Sequence, residues 1–382
     1  MNATLHRFGL ILLCGIPSLL TAQGPPGPPS GPPGDTMKSL QEIWDHLQTN
    51  QAQNVVAHQS TWAKLAALEE QHTAILARLD SIMTRLDSVA IEWVTIGNAG
   101  NSSDPETGTG GVAYEYRIGR YEVTNEQYAE FLNAVAGSDT YDLYRGEMGT
   151  DPRGGITRLG SPGAYTYAVK EHMGKKPVNY VSWYDAARFC NWLHNGQLRR
   201  PQGETTTEDG AYTLTGAEGV ALGSDPDHGV NGRNEGARYW IPGEHEWYKA
   251  AYHEPGGDTD GYWLYPTRSN DAPTVATCDA AGNINNDVAN IANYDLGADW
   301  NGQNGNVTTV GSGGTGSQSF YGASDMGGNV YEWGEHRFGN GERRLRGGNY
   351  AANSSWMQST AYSSSTPDND WNSSVGFRLA AP

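Results

Sequence analysis

From Leu40 to Val89 one heptad register runs unbroken. Leu40, Trp44, Leu47, Gln51, Asn54, His58, Thr61, Leu65, Leu68, His72, Ile75, Leu79, Ile82, Leu86 and Val89 follow one another in alternating steps of three and four. Such spacing keeps a stripe on one side of an α-helix far longer than the ~11–12 residues of an ordinary globular helix, and it predicts a coiled-coil stalk over residues 37–91. Gln51, Asn54, His58 and Thr61 make the centre of the seam polar, which weakens it and fixes register. Between Ile75 and Leu86, Leu stands at a and Ile at d, a choice that disfavours dimers and predicts a homo-oligomer of three or four chains. A helix folded back on its own head domain is the other arrangement such a stripe permits.

What precedes the stalk sets the compartment. Met1 to Ala22 carries Arg7, an apolar run from Phe8 to Leu20 and small residues before Gln23. This is the pattern of a cleaved signal peptide, its apolar run too short for the ~20 residues of a membrane span. Residues 23–36, with GPPGPPSGPPG, read as a stiff polyproline linker. The expected location is secreted, extracellular or periplasmic, or at the cell surface, with no transmembrane segment. Cys190 and Cys278 remain after cleavage, enough for one disulfide and no framework. A formal net charge of -18 without a Lys/Arg cluster argues against nucleic acid as a partner.

Residues 92–382 form the head, long enough for a sizeable core. Fifty glycines are scattered through the chain without a period, among plentiful aromatics, which predicts an ordered, loop-rich fold rather than disorder. Trp93 to Ile96 and Tyr114 to Ile118 read as strands. Thr124 with Gln127, and Ser182 with Asp185, are helix-capping pairs, and a third helix is expected after Pro242. The stretches Gly137 to Gly174 and Gly196 to Arg238 read as long polar insertions. Val375 to Leu379 reads as a closing strand. Between Gly348 and that strand, Asn349, Tyr350, Asn353, Trp356, Tyr362, Asp368, Asp370, Trp371 and Asn372 mix stacking faces with hydrogen-bonding groups. That is the composition of a binding surface, although aromatics there could also serve core packing.

Six motifs in order, YEVTNEQYAEFLNAV, PVNYVSWYDAARFCNWL, RYWIPGEHEWYKAAY, DMGGNVYEW, RLRGGNY and VGFRLA, make this head resemble the formylglycine-generating enzyme, or sulfatase-modifying factor, family. The resemblance implies an α+β, C-type-lectin-like sulfatase-modifying-factor fold with short strands, few helices and long ordered loops. It also implies what an active member would need: a cysteine pair holding copper just after the RGGS motif. Here those positions are Ala352 and Met357, and Asn349 replaces the serine. Without a thiolate that oxidase chemistry has no nucleophile or metal ligand, so copper and formylglycine generation are not expected. His245, Glu246 and His253 miss the one-turn spacing of a zinc-binding helix.

The same resemblance implies structural calcium. Asn329 and Glu332 side chains with Gly328 and Val330 carbonyls would form one site, and Asn293 with the Tyr294 carbonyl a second, where Asp299, Asn304 or Asn306 would stand in for the family's aspartate. Hard oxygen ligands suit that ion, while capping of local backbone is the alternative role for Asn329 and Glu332. The expected function is a secreted, oligomeric, lectin-like binding or display protein whose ligand is a glycan or a protein. The alternative is a metal-dependent oxidase of the same family with a non-standard active site.

Overall fold

A computed structural model describes residues 40–86, 88–214, 224–225, 229–230, 232–256, 261–286, 288–367 and 372–382. The expected signal peptide and linker lie outside these residues. The chain divides into two units, Met1–Ala77 and Arg78–Pro382.

Helix α1, Leu40–Leu86, runs through the heptad stretch. Its seam residues Trp44, Leu47, Leu65, Leu68 and Ile75 are exposed. Among the described residues no helix is long and apolar enough to cross a membrane.

The head follows in chain order as β1 Trp93–Ile96, β2 Tyr116–Gly119, α2 Asn125–Val135, α3 Gly146–Thr150, β3 Ile156–Leu159, β4 Thr166–Val169, α4 Trp183–His194, β5 Ser224–Asp225, β6 Gly229–Val230, α5 Glu244–Tyr252, β7 Thr274–Val275, β8 Ile291–Ala292, β9 Tyr331–Arg337, β10 Arg343–Arg346, β11 Ser363–Ser365, β12 Val375–Gly376 and β13 Ala380–Ala381. This is a mixed α and β domain with short strands and few helices, as the motifs imply. Both capping boxes form. The Thr124 and Gln127 side chains each accept the other's backbone N–H, at 3.3 and 2.9 Å, and Ser182 and Asp185 do the same at 3.1 and 2.9 Å. Each box satisfies two donors that a bare helix end leaves orphaned.

The helices α2 and α4 supply Tyr128, Phe131, Phe189 and Trp192 to the main core. Phe377 meets Phe189 edge-on at 5.5 Å, so the end of the chain is locked into the same aromatic cluster. Two larger sheets, besides three two-stranded ones among the described residues, bring distant parts of the head together. One has the order β1-β2-β13, and joins the first strand of the head to the last. The other has the order β11-β10-β9-β12, with β12 parallel to β9.

Two expectations change. The stretch Gly137 to Gly174 is not all surface loop, because α3 and the β3–β4 hairpin lie in it and Leu143, Met148 and Ile156 are buried. Those residues are too widely spaced among polar ones to make a periodic signal. The closing strand is also split. Val375 and Gly376 pair with β9, whereas Ala380 and Ala381 pair with β2, so the chain changes sheets between them. Cys190 is buried on α4, and both it and Cys278 are free.

Candidate functional site

The C-terminal segment makes two excursions from the second sheet. The chain leaves β10 at Gly347, returns as β11 beside β10, leaves again, and returns as β12 beside β9. The first departure depends on glycine. Gly347 and Gly348 have φ of 94° and 72°, and a Cβ on Gly347 would crowd the Met326 carbonyl at 3.1 Å, so a side chain there is disfavoured by backbone strain and a tight contact.

Contacts of Tyr350, Met357, Ser359 and Arg346 tie the first excursion down. The Tyr350 ring is buried with Met173, Trp300, Val307 and Val330, beneath the Arg153 guanidinium at 5.5 Å, and its hydroxyl meets Ser373 Oγ at 2.7 Å. Met357 is fully buried among Tyr265, Ala292 and Tyr294, and its carbonyl accepts the Tyr252 hydroxyl at 3.0 Å. Ser359 donates its backbone N–H to the Leu264 carbonyl at 2.9 Å. Arg346, ion-paired with Glu244, donates to the Ser359 carbonyl at 3.0 Å.

Tyr350 is therefore core and not part of a binding surface, because Arg153 and Ser373 supply partners for both its face and its hydroxyl. Asn349 is also turned inward, its Oδ1 accepting the N–H groups of Ala351 and Ala352 at 2.8 and 3.0 Å. Asn372 is half-buried, with Oδ1 accepting Ser374 N–H at 2.9 Å. Asp368, Asp370 and Trp371 lie outside the described residues.

The surface keeps Asn353, Trp356 and Tyr362. Asn353 caps a turn of 3₁₀ helix at Ser354–Met357 by accepting Ser355 N–H at 3.0 Å. Trp356, 41% exposed, sets its ring edge-to-face with Tyr331 at 6.3 Å. Tyr362, 47% exposed, stacks on Phe338 at 5.8 Å, with the Arg344 guanidinium 4.1 Å from its ring centre. Arg344 is held in turn by Glu244 at 2.6 Å. Tyr362 is thus held between Phe338 and Arg344, which lowers the entropy that ring would lose on binding. The supports Tyr331, Phe338 and Arg344 were not anticipated from sequence. Arg344 had a signal, since Arg344 and Arg346 alternate on β10 and share Glu244.

The calcium expectation divides on geometry. Glu332 is buried, and Arg378 Nε and Nη2 each donate to it at 2.6 Å while Trp247 Nε1 donates at 2.7 Å. A guanidinium already neutralises that carboxylate, so the set on Asn329 and Glu332 does not fit a second cation. Asn329 instead bridges loops: its Oδ1 accepts Thr308 N–H at 2.9 Å and its Nδ2 donates to Glu122 at 3.1 Å. Gly328 bonds through its N–H to the Gly347 carbonyl, and Val330 is wholly buried. The second set fits better. Asn293 is buried and its Oδ1 has no hydrogen-bond partner, a free hard oxygen of the kind calcium takes. The Tyr294 carbonyl accepts the Gly297 N–H, at 3.1 Å. Among the described residues no three His, Cys, Asp or Glu side chains converge on a metal position.

Nor do His245, Glu246 and His253 converge. Glu246 pairs with Arg233, His245 accepts Gly110 N–H at 3.1 Å, and His253 meets the Tyr321 hydroxyl at 2.7 Å. Burial, with Lys249 beside it, holds the His253 imidazole down at about 4.

Residues 94–382 match the family model of the sulfatase-modifying factor enzyme 1-like domain, and the chain belongs to that family. The solved structures similar to it include one described as CarF, at 23% identity with a TM-score of 0.47, covering 77% of this chain and 98% of that one. Treponema denticola variable protein 1 gives 20% identity and a TM-score of 0.43, covering 77% and 96%. PvdO from Pseudomonas aeruginosa gives 16% and 0.36, covering 77% and 92%. No curated protein matches the chain.

Proposed function

We propose that this is a secreted, oligomeric display protein, in which α1 gathers several heads and each head offers Trp356 and Tyr362 to a glycan or protein ligand. The observation that carries the reading is the pair of large aromatic rings held more than 40% exposed on a polar segment whose ends are clamped into the core. Rigid amphipathic rings amid Asn and Ser are what adaptable binding surfaces use. Ala352 and Met357 offer no thiolate for cysteine oxidation, and Met357 is buried in an apolar cluster.

For the stalk, the exposed seam of α1 supports association of parallel chains. Lys64 and Glu69 flank that seam five residues apart, the spacing that brings opposite charges together between neighbouring parallel helices.

The test uses a ligand found by glycan array or pull-down. Trp356→Ala and Tyr362→Ala should each weaken binding about thirtyfold, the ~2 kcal/mol of a hot-spot aromatic. Both should leave the melting temperature nearly unchanged. If either variant unfolds the head, its ring is packing and not recognition.

Calcium at Asn293 is part of the same proposal. Chelator should lower the melting temperature of the purified protein, and Asn293→Ala should abolish the difference, whereas Glu332→Gln should not. Equal melting with and without chelator in the wild-type chain would remove the ion from the account.

A further inference from the structure

Two histidines stand on the seam of α1, His58 and His72, both exposed on the single chain. In the register that begins at Leu40 each occupies an a position. The d positions next to His58 are Asn54 and Thr61, whereas those next to His72 are Leu68 and Ile75. At 1.5 Å per residue the two histidines lie about 21 Å apart along the helix, so each has its own surroundings.

When parallel copies associate through such a seam, every chain brings the same a residue to the shared axis at the same height. Around His58 the adjoining layers are polar. Asn54 carries a carboxamide, and Thr61, whose hydroxyl donates to the Ala57 carbonyl at 2.9 Å, keeps lone pairs that can accept from a ring. Around His72 the adjoining layers offer nothing of the kind. Leu68 and Ile75 are exposed on the single chain and would close over the imidazole on association, while Glu69 stands at e, on the flank of the seam facing Lys64 of the partner subunit. Ring nitrogens shut between apolar layers without a partner are unfavourable. Three or four imidazoles meeting at one point are, however, the donor set that a borderline divalent cation such as zinc takes, with a water completing the tetrahedron when there are three.

We propose that the His72 layer of the assembled stalk binds one zinc-like divalent cation per oligomer, each copy contributing one imidazole nitrogen. The site rests on the assembly through α1 proposed above, with the chains parallel and in register, because no single chain can complete it. The His58 layer, polar on both sides, needs no ion.

Untagged full-length protein, stripped of metal, provides the test. Light scattering gives its mass with and without zinc, and calorimetric titration with zinc gives the ions bound per oligomer. The expected result is an oligomer that takes up one zinc ion, with binding weakened about a hundredfold or more in His72→Leu and unchanged in His58→Leu. His72→Leu continues the apolar seam and should stay associated; should it change the oligomer, His72→Asn removes the ligand while keeping a polar layer. An oligomer that binds no zinc, or one that binds it equally well without His72, overturns the metal site and leaves the assembly standing. A chain monomeric in both conditions overturns site and assembly together, whereas a monomer that associates only with zinc supports both.

Discussion

Replacing Arg378 by leucine is expected to destabilise the head by about 3–5 kcal/mol, the usual result of removing one member of a buried ion pair. The guanidinium is fully buried and donates both to Glu332 and to the backbone carbonyls of Gly119 and Ser324. It also lies near Glu122 and Asp325. Burial already pushes the Glu122 carboxyl up, with Asp325 adding to it, and holds Asp325 at about 6. Losing this guanidinium would leave the Glu332 carboxylate uncompensated and push the Glu122 and Asp325 carboxyls up further. Chemical denaturation of the wild type, Arg378→Leu and the double variant with Glu332→Gln measures this. The double variant should recover part of the loss, since the uncompensated charge is the main cost. A drop below about 1 kcal/mol for the single variant, the scale of an exposed pair, would show that the pair is not the clamp described.

Deleting residues 40–86 should leave a folded monomeric head whose binding to a single immobilised ligand is unchanged. On a surface dense with ligand, the same deletion should weaken binding by about 10²–10⁴, the gain that linked sites supply through effective concentration. Light scattering checks the mass, and surface binding at low and high ligand density checks the avidity. A full-length chain already monomeric in solution would refute the role given to α1, because its exposed seam would then have no partner. The ligand surface proposed at Trp356 and Tyr362 would survive that result.

The helices α2 and α4 were readable since a capping box is a local device: Thr124 and Gln127, or Ser182 and Asp185, lie within one turn and need nothing distant. The six motifs led to the family and its mixed fold. Whether a given aromatic is core or surface was not readable. Tyr350 and Tyr362 stand in similar polar company, yet Tyr350 is buried under Arg153, nearly two hundred residues earlier, while Tyr362 lies out on Phe338 and Arg344. Glu332 was similarly opaque. Its partner Arg378 is 46 residues away, and a carboxylate that neutralises a guanidinium looks in sequence like one that awaits an ion.

The clamps on the first excursion sort its positions into those free to vary and those that are not. Tyr350, Met357 and Ser359 face inward, Gly347 and Gly348 hold left-handed backbone, and Asn353 with Ser355 caps the 3₁₀ turn, but Trp356, Thr360 and Tyr362 are exposed. A library randomised at the second group should yield mostly folded members with new specificities, whereas one randomised at the first should yield mostly insoluble chains. The head would then serve as a scaffold whose recognition can be rewritten without renegotiating its stability.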